Sequence, residues 1–356
     1  MNNVLWLSLK KNLMLPEKLV IHNEASTLLG DFFKTATYSQ IGVLADLNTT
    51  TSCYPLVKKY LPAHILLEVP AGEEFKTLDT CVTVWEQLTL HNFDRHSLLV
   101  IIGGGVLGDL GGFCAATYKR GIDFLLMPTT LLAQVDASIG GKLGIDFQHY
   151  KNHIGVFQEP ASTLINPSFL KSLPPRELRS GFAEIIKHCL ISDRIMWDTI
   201  RQRSLENQDW DTLIRHSAEF KYSVIQQDPR EKGLRKILNF GHSIGHAVES
   251  FFLDHYARLF HGEAIAVGMI CESHIAMKKG LIQKSELEQI SEFILTIYGK
   301  VAVPPLSSLI DIMAQDKKNK GNRILMALTE GIGKAVWDVE VNPQDIDDAL
   351  DYYKSR

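Results

Sequence analysis

The first half of the chain alternates short apolar runs with amphipathic segments. The apolar runs are four or five residues long and cover 41–45, 65–69, 98–102 and 124–127. Each run stops at an aspartate, a proline or a glycine, and the segment 78–90 between two of them has helical spacing. Short buried strands that alternate with helices are typical of a parallel sheet. The pattern therefore predicts an α/β domain.

The second half of the chain has a different pattern. From residue 174 to residue 276 the apolar positions recur mostly with helical spacing. Beyond them, segments 323–328 and 334–341 predict a short hairpin around Gly331-Ile332-Gly333, and a last helix is predicted from 343 to about 353. The stretch Ser172-Leu173-Pro174-Pro175 is the best candidate for a domain boundary.

Composition narrows the class of protein. A length of 356 residues favours two domains. The net charge of -4, with both signs mixed along the chain, gives no sign of a nucleic-acid surface. The five scattered cysteines form no CxxC pair, which argues against a disulfide framework and a thiolate zinc site and fits a reducing cytoplasm. We find neither a signal region nor a membrane-length apolar run, so we expect a cytoplasmic protein without a membrane partner.

A glycine-rich turn follows the third predicted strand. Gly103-Gly104-Gly105-Val106-Leu107-Gly108 matches GxGxxG, a pattern that lets a pyrophosphate approach the backbone at the start of a helix. An ordinary tight turn is the alternative. The acid that contacts the ribose is usually about 20 residues further on, which points to Asp123. Because Asp123 precedes a strand, Asp46 at the end of an earlier strand is the better candidate.

A group of imidazoles and carboxylates lies in the helical half. His242 and His246 are four residues apart, so they share one face of a helix. His261 in His261-Gly262-Glu263 and Glu184 begin or lie in other helix-like runs. Imidazoles with one carboxylate suit a catalytic Zn²⁺ with an open position, although two histidines at this spacing also occur by chance. The spacing leaves open which of the two is the ligand.

Polar residues around this pair suggest an anionic substrate. Arg235, Asn239, His242 and His246 recur at helical spacing, so we expect them on one face of one helix, with a phosphate or carboxylate held beside the metal. Further cations precede them in the chain, each of which alone is more often a solvated surface residue: Lys142, Lys151, Lys187 and Lys221. A metal and a nicotinamide in one chain suggest redox chemistry at a carbinol.

Together these motifs resemble the 3-dehydroquinate synthase family of the sugar-phosphate cyclases. The resemblance runs from about residue 41 to 341, and its motifs occur in order at 103–109, 128–136, 140–142, 151–152, 183–187, 233–247 and 261–263. It implies a homodimer with an α/β NAD-binding domain (1–171) and a mostly α-helical metal- and substrate-binding domain (172–356). The implied lyase reaction of the shikimate pathway converts 3-deoxy-D-arabino-heptulosonate 7-phosphate to 3-dehydroquinate and phosphate. Its steps are transient oxidation by NAD, phosphate β-elimination, re-reduction and intramolecular aldol closure.

The resemblance also assigns residues to the cofactors. It implies that one divalent metal, Zn²⁺ or Co²⁺, is held by Glu184, His242 and His261, and that His246 contacts the substrate and assists proton movement. The implied NAD contacts are Asp46, Asn48, Glu73, Lys76, Gly104, Gly105, Val106, Asp109, Thr129, Thr130, Lys142, Lys151 and Ser172.

The substrate contacts are implied in the same way. The phosphate end would be held by Lys142, Asn152, Asn239, His246 and either Lys317 or Lys318. Arg120 would reach this phosphate from the partner subunit. Lys187, Lys221 and Arg235 would hold the substrate carboxylate and hydroxyls. Asp136 would orient the cofactor end and a substrate hydroxyl.

Three positions depart from the family pattern. Leu143 stands where threonine is common, Tyr150 where glycine is common, and Ser172 where threonine is common. Three other interpretations compete: a sister cyclase such as a valiolone or deoxy-inosose synthase, a metal-dependent polyol dehydrogenase, and an inactive NAD-binding scaffold. Phosphate release without net NADH distinguishes the synthase from the last two.

Overall fold

The computed structural model describes residues 15–148, 150–252, 258–314 and 324–356. The chain groups into two compact units. The first unit runs to Pro174 and also includes Trp210–Tyr222. The second unit comprises Pro175–Asp209 and the chain from Ser223 onward.

The first unit is built on a parallel sheet. Its strands are β1 (Leu19–Ile21), β2 (Ile41–Asp46), β3 (Ile65–Val69), β4 (Leu98–Gly103), β5 (Asp123–Pro128), β6 (Lys142–Phe147), β7 (Tyr150–Phe157) and β8 (Ser162–Ile165). Six of them form the sheet in the order β1-β8-β5-β4-β2-β3, and each neighbouring pair is parallel. The four strands predicted from apolar runs are therefore confirmed.

Helices cover both faces of this sheet. They are α1 (Ala25–Thr35), α2 (Leu47–Ser52), α3 (Tyr54–Val57), α4 (Leu78–Leu90) and α5 (Gly105–Thr117). Leu44 and Ile101 pack in one apolar cluster with residues of α4 and α5, while Val43 and Val100 pack in another with residues of α1 and α3. Because both faces are buried, the inner strands β2, β4 and β5 are apolar along most of their length, whereas the edge strand β3 carries the exposed Glu68. The predicted α/β fold is confirmed.

Strands β6 and β7 form a separate antiparallel hairpin. Leu143 and Ile145 of β6 are buried in the same cluster as α5, whereas most of β7 is exposed. The pattern of apolar positions did not predict this hairpin.

The second unit is mostly helical, as predicted. Following α6 (Pro175–Ser192) and α7 (Arg194–Ile200), α8 (Trp210–Gln227) begins in the first unit and ends in the second. The remaining elements are α9 (His242–Phe252), α10 (His261–Lys278), α11 (Lys284–Tyr298), α12 (Leu306–Ala314), the antiparallel strands β9 (Ile324–Thr329) and β10 (Ala335–Val341), and α13 (Pro343–Ser355). Residues 262–276 of α10 are all buried, so this helix lies at the centre of the unit.

Within the described ranges, none of the helices is both long and apolar enough to cross a bilayer. The five cysteines are buried free thiols.

Candidate nucleotide and metal sites

The segment around the paired histidines is interrupted. The prediction that Arg235, Asn239, His242 and His246 share one helix is wrong, because Leu234–Asn239 is a 3₁₀ helix and α9 begins only at His242. Between them Phe240 takes ψ 132° and Gly241 takes φ +79°. This left-handed conformation favours glycine, and it ends the helical path. The 3₁₀ helix and α9 therefore present their polar side chains separately.

Close backbone contacts bring the metal-site elements together. A Cβ atom on Gly268 of α10 would lie 1.9 Å from the carbonyl oxygen of Gly241. A Cβ atom on Gly262 would lie 2.0 Å from the carbonyl oxygen of Ser180 in α6. Only glycine permits such approach, so α10 packs directly on the backbone before α9 and on α6. These contacts place the helices of His242, His261 and Glu184 side by side.

One carboxylate oxygen faces two imidazoles. Glu184 Oε1 lies 3.4 Å from His242 Nε2 and 3.4 Å from His261 Nε2. Glu184 is fully buried, and this oxygen has no hydrogen-bond partner among the residues that the structure describes. The His246 ring lies 4.9 Å from that of His242 and 5.8 Å from that of His261. Ligand atoms about 2.1 Å from a tetrahedral zinc ion lie about 3.4 Å apart. The donor set therefore fits a divalent metal.

Outer contacts orient the two imidazoles. His242 Nδ1 lies 3.0 Å from the carbonyl oxygen of Phe240, and His261 Nδ1 lies 3.0 Å from Glu249 Oε2. If each Nδ1–H donates to its acceptor, Nε2 keeps its lone pair free to bind a metal beside Glu184 Oε1, as in many metal sites. Sequence reasoning missed Glu249. It lies two turns after His242 on α9, so a search of that helix face for carboxylates would have found it.

Charges around the site favour a cation. Burial would raise the pKa of Glu184, but Lys187, His242 and His261 hold it well below its usual range. Burial and Lys187 hold the pKa of His242 well below its usual value, which favours the neutral imidazole that binds metals. Burial lowers the pKa of His261, but Glu184 and Glu249 raise it to about 10. The two carboxylates thus favour a positive charge here, whether a proton or a metal supplies it.

The glycine turn lies at the carboxyl edge of the sheet. Gly104 is the N-cap of α5, which begins at Gly105 directly after β4. A cavity of the first unit is lined by Gly103–Gly105, Asp109, Ser138 and Leu143, among others. The parallel register places Ala45 beside Ile102, so Asp46 ends β2 next to the turn. A helix start with open space at this edge fits the pyrophosphate and ribose of a dinucleotide.

Several predicted NAD contacts form one ionic network. The buried Lys76 donates to Asp109 Oδ2 at 2.7 Å and to Asn152 Oδ1 at 2.5 Å. Asn152 has φ +50°, and its N–H donates to Asp146 Oδ1 at 2.8 Å. Lys151 lies 3.5 Å from Glu73. The network ties the β6–β7 hairpin to the residues beside the glycine turn, and Asp146 is a member that sequence reasoning missed.

Other predicted substrate contacts are held by protein acceptors. Lys221 Nζ contacts both the carboxylate and the carbonyl oxygen of Asp136 at 2.7 Å. In the second unit, Arg235 donates to the carbonyl oxygen of Pro229 at 3.0 Å. Asn239 donates to Glu231 Oε1 at 2.7 Å, a partner that the sequence did not reveal.

Comparison with known proteins identifies the family. Residues 66–180 match the model of the 3-dehydroquinate synthase N-terminal domain, and residues 181–319 match that of the C-terminal domain. A 3-dehydroquinate synthase of Sulfurovum sp. is 41% identical over 82% of this chain and 86% of its own length. One of Parabacteroides distasonis is 35% identical over 96% of this chain and 99% of its own. The chain belongs to the 3-dehydroquinate synthase family.

A solved structure with a similar fold is that of a valiolone synthase. The 2-epi-5-epi-valiolone synthase of Streptomyces hygroscopicus subsp. jinggangensis, with NAD⁺ and Zn²⁺ bound, is 27% identical with a TM-score of 0.85. The match covers 96% of this chain and 98% of that one. The fold of this chain is thus also similar to that of a valiolone synthase.

The remaining predicted residues lie mostly at the surface. Asn48, Lys142 and Arg120 are exposed, and Arg120 has φ +70°. Ser172 is exposed as well, Val106 and Thr130 are half-buried, and Thr129 is buried. Lys317 and Lys318 lie outside the described residues.

The departures from the family pattern have distinct surroundings. Leu143 is buried against α5, where a Cβ atom on Gly112 would lie 2.5 Å from Leu143 Cδ2. Tyr150 is 54% exposed, and its ring lies 5.2 Å from that of His153. Ser172 donates to the carbonyl oxygen of Phe169 at 3.1 Å. Leu143 thus belongs to the cavity wall, while Tyr150 is the first residue of β7.

Proposed function

We propose that this chain is a NAD- and divalent-metal-dependent lyase that converts 3-deoxy-D-arabino-heptulosonate 7-phosphate to 3-dehydroquinate and phosphate. The observation that carries the proposal is the buried Glu184 Oε1, which faces two imidazoles at 3.4 Å in a chain of this family. When bound, the metal supplies Lewis acidity toward a substrate hydroxyl, and NAD reversibly accepts a hydride.

Glu184, His242 and His261 would hold Zn²⁺ or Co²⁺. The assignment is supported by the Nδ1 contacts that orient both imidazoles and by the unpaired oxygen of Glu184. His246 would contact the substrate and move its protons, since its ring adjoins both ligand rings.

NAD would bind in the cavity at the glycine turn. The N–H groups of Gly104, Gly105 and Val106 at the start of α5 would contact the pyrophosphate. Asp46 would accept hydrogen bonds from a ribose. The other proposed contacts are Asn48, Glu73, Lys76, Asp109, Thr129, Thr130, Lys142, Lys151 and Ser172.

The substrate would be held by groups that the protein already orients. Lys187, Lys221 and Arg235 would bind its carboxylate and hydroxyls, and Asp136 would orient a hydroxyl. Lys142, Asn152 and Asn239 would bind the phosphate, with Arg120 of a partner subunit in a homodimer. Donors fixed by existing hydrogen bonds need little reorganisation during a reaction of several steps.

We further propose that residues 1–171 serve NAD binding and residues 172–356 metal and substrate binding, in a cytoplasmic enzyme. The proposed NAD contacts up to Lys151 all lie in the first unit, and the proposed metal ligands all lie in the second.

Phosphate release tests the reaction. Protein with NAD and the heptulosonate phosphate is assayed as purified, after chelation, and after Zn²⁺ is restored. We expect release that chelation abolishes and Zn²⁺ restores, with dehydroquinate as product and without accumulation of NADH. The likeness to the valiolone synthase makes that activity the second candidate. Turnover of only that enzyme's sugar phosphate would replace our proposal with the sister activity.

A further inference from the structure

The start of α9 lacks a cap from its own sequence. The first N–H groups of a helix have no partner within it, and a serine, threonine, asparagine or aspartate at the N-cap usually binds one of them. Here Gly241 immediately precedes His242, the first residue of α9, and offers no side chain. Another part of the chain must therefore satisfy these donors.

Glu272 of α10 supplies the missing acceptors. Its Oε2 accepts from Gly241 N–H at 2.6 Å, and its Oε1 accepts from Ile244 N–H at 3.0 Å. Glu272 is fully buried, so water does not weaken these bonds. A carboxylate beside a helix N-terminus also interacts favourably with the helix dipole.

The two N–H groups bracket His242. The His242 ring itself contacts the carbonyl oxygen of Phe240, one residue before Gly241, through its Nδ1 atom. One turn before Glu272, Gly268 packs against the Gly241 carbonyl oxygen. Helix α10 therefore holds the backbone on both sides of His242, and the same helix carries His261.

We propose that Glu272 is a positioning residue that fixes His242 relative to His261 and thereby sets the affinity of the metal site. The proposal rests on the metal site of the proposed function. A glutamine would not replace the glutamate, because both oxygens accept and an amide has a single acceptor. Its NH₂ group would face an N–H donor, which displaces the start of α9.

Metal affinity of Glu272→Gln tests the proposal. Metal-free native protein, Glu272→Gln and the control Glu288→Gln are titrated with Zn²⁺ against a chromophoric chelator, and Co²⁺ forms are compared by visible absorption. Glu288 is a half-exposed residue of α11 that pairs with Lys284. We expect Glu272→Gln to lose about 10- to 100-fold in Zn²⁺ affinity and to change the Co²⁺ bands, as outer-contact mutations do. The control should match the native protein.

A folded Glu272→Gln protein with native Zn²⁺ affinity and native Co²⁺ bands would overturn the proposal. If this variant does not fold, the proposal is tested instead by the Zn²⁺ affinity of Glu272→Asp and by amide exchange in the native protein. The shorter side chain should also weaken Zn²⁺ binding, and Zn²⁺ should slow hydrogen exchange of the Gly241 and Ile244 amides in the native protein. If Zn²⁺ leaves the hydrogen exchange of these two amides unchanged, the proposal is contradicted.

Failure of the underlying metal site has a different signature. In that case native protein binds no stoichiometric Zn²⁺, or His242→Ala binds it as tightly as native. Stoichiometric binding that His242→Ala loses and Glu272→Gln keeps would reject only the role of Glu272.

Discussion

The glycine turn of the first unit and the metal-site helices of the second unit use glycine for opposite purposes. In the first unit, a Cβ atom on Gly105 would meet only the Cβ of Ala137, at 3.1 Å, and the turn adjoins a cavity. In the second unit, a Cβ atom on Gly262 or Gly268 would overlap a backbone carbonyl at 2.0 or 1.9 Å. The first kind leaves room for a ligand, while the second lets protein backbones touch. Substitutions at the two kinds should therefore separate binding from folding.

The polar groups of the two units differ in a similar way. Lys76, Asp109 and Asn152 satisfy one another within the first unit. Glu184 in the second unit keeps one buried oxygen without a hydrogen bond. Leaving a buried acceptor unpaired costs about 1–3 kcal/mol, which a bound cation offsets. We therefore expect the metal site to depend on its cation more strongly than the lysine network depends on a ligand.

The largest effect is expected from Gly268→Ala. Alanine favours a helix over glycine by about 1 kcal/mol, but no rotamer change relieves a 1.9 Å contact with a carbonyl. The helices must separate, so we expect unfolding free energy to fall by at least about 3 kcal/mol in urea denaturation. The control is Gly30→Ala in α1, where an added Cβ would have no atom of another described segment within 4 Å, and it should be neutral or stabilising. Equal stability of the two variants would refute the close-contact argument.

The second-largest effect is expected from removal of a metal ligand. We expect His242→Ala to lose bound metal, whereas His246→Ala keeps the metal and loses activity, because Glu184 Oε1 lies 3.4 Å from the His242 ring nitrogen. Metal content of the purified variants is measured by plasma emission spectrometry. Near-normal zinc in His242→Ala, or equal loss in both variants, would show that the ligand assignment is wrong.

Gly105→Ala should affect binding more than folding. Ala137 needs to move by only a few tenths of an ångström to admit the new methyl group. The methyl would then occupy space at the start of α5 that we assign to the pyrophosphate. We expect NAD affinity to fall about tenfold by calorimetry, with thermal stability and zinc content unchanged. A variant that binds NAD normally would place the pyrophosphate elsewhere.

The smallest effect concerns the cavity wall. Leu143→Thr removes apolar contact with α5, so we expect a loss of about 1–2 kcal/mol in unfolding free energy. Gly112→Ala alone should also destabilise, because its Cβ would lie 2.5 Å from Leu143 Cδ2. The double variant should be more stable than the sum of the two losses predicts. If the two losses in unfolding free energy simply add, the side chain of Leu143 and the added methyl group at position 112 do not clash.

The parts predicted correctly from the sequence are those with a local signal. Strands β2, β4 and β5 are buried on both faces, so each appears as an apolar run, and the edge strand β3 is apolar except at Glu68. Strand β7 gave no such signal because Tyr150, Ile154 and Phe157 are exposed. The metal motifs likewise led to the correct family, since their residue types and spacings are specific.

The errors have physical causes of longer range. Helical spacing from Arg235 to His246 was misleading because Gly241 breaks the helix, and its conformation depends on α10. Glu272 caps α9 from about 30 residues away, so no local sequence pattern reveals it. Side chains that orient other side chains across helices become visible only in the folded chain.

Helix α8 belongs partly to each unit, which limits where the chain can be divided into fragments. Its first part, Trp210–Tyr222, belongs to the first unit although it follows Pro175–Asp209 of the second. Leu213, Ile214 and Ala218 in this part are buried. A fragment that stops at residue 171 therefore omits a piece of its own interior. Segments of the two units alternate along the chain. Chimaeras between relatives should therefore exchange both units together and not one unit alone.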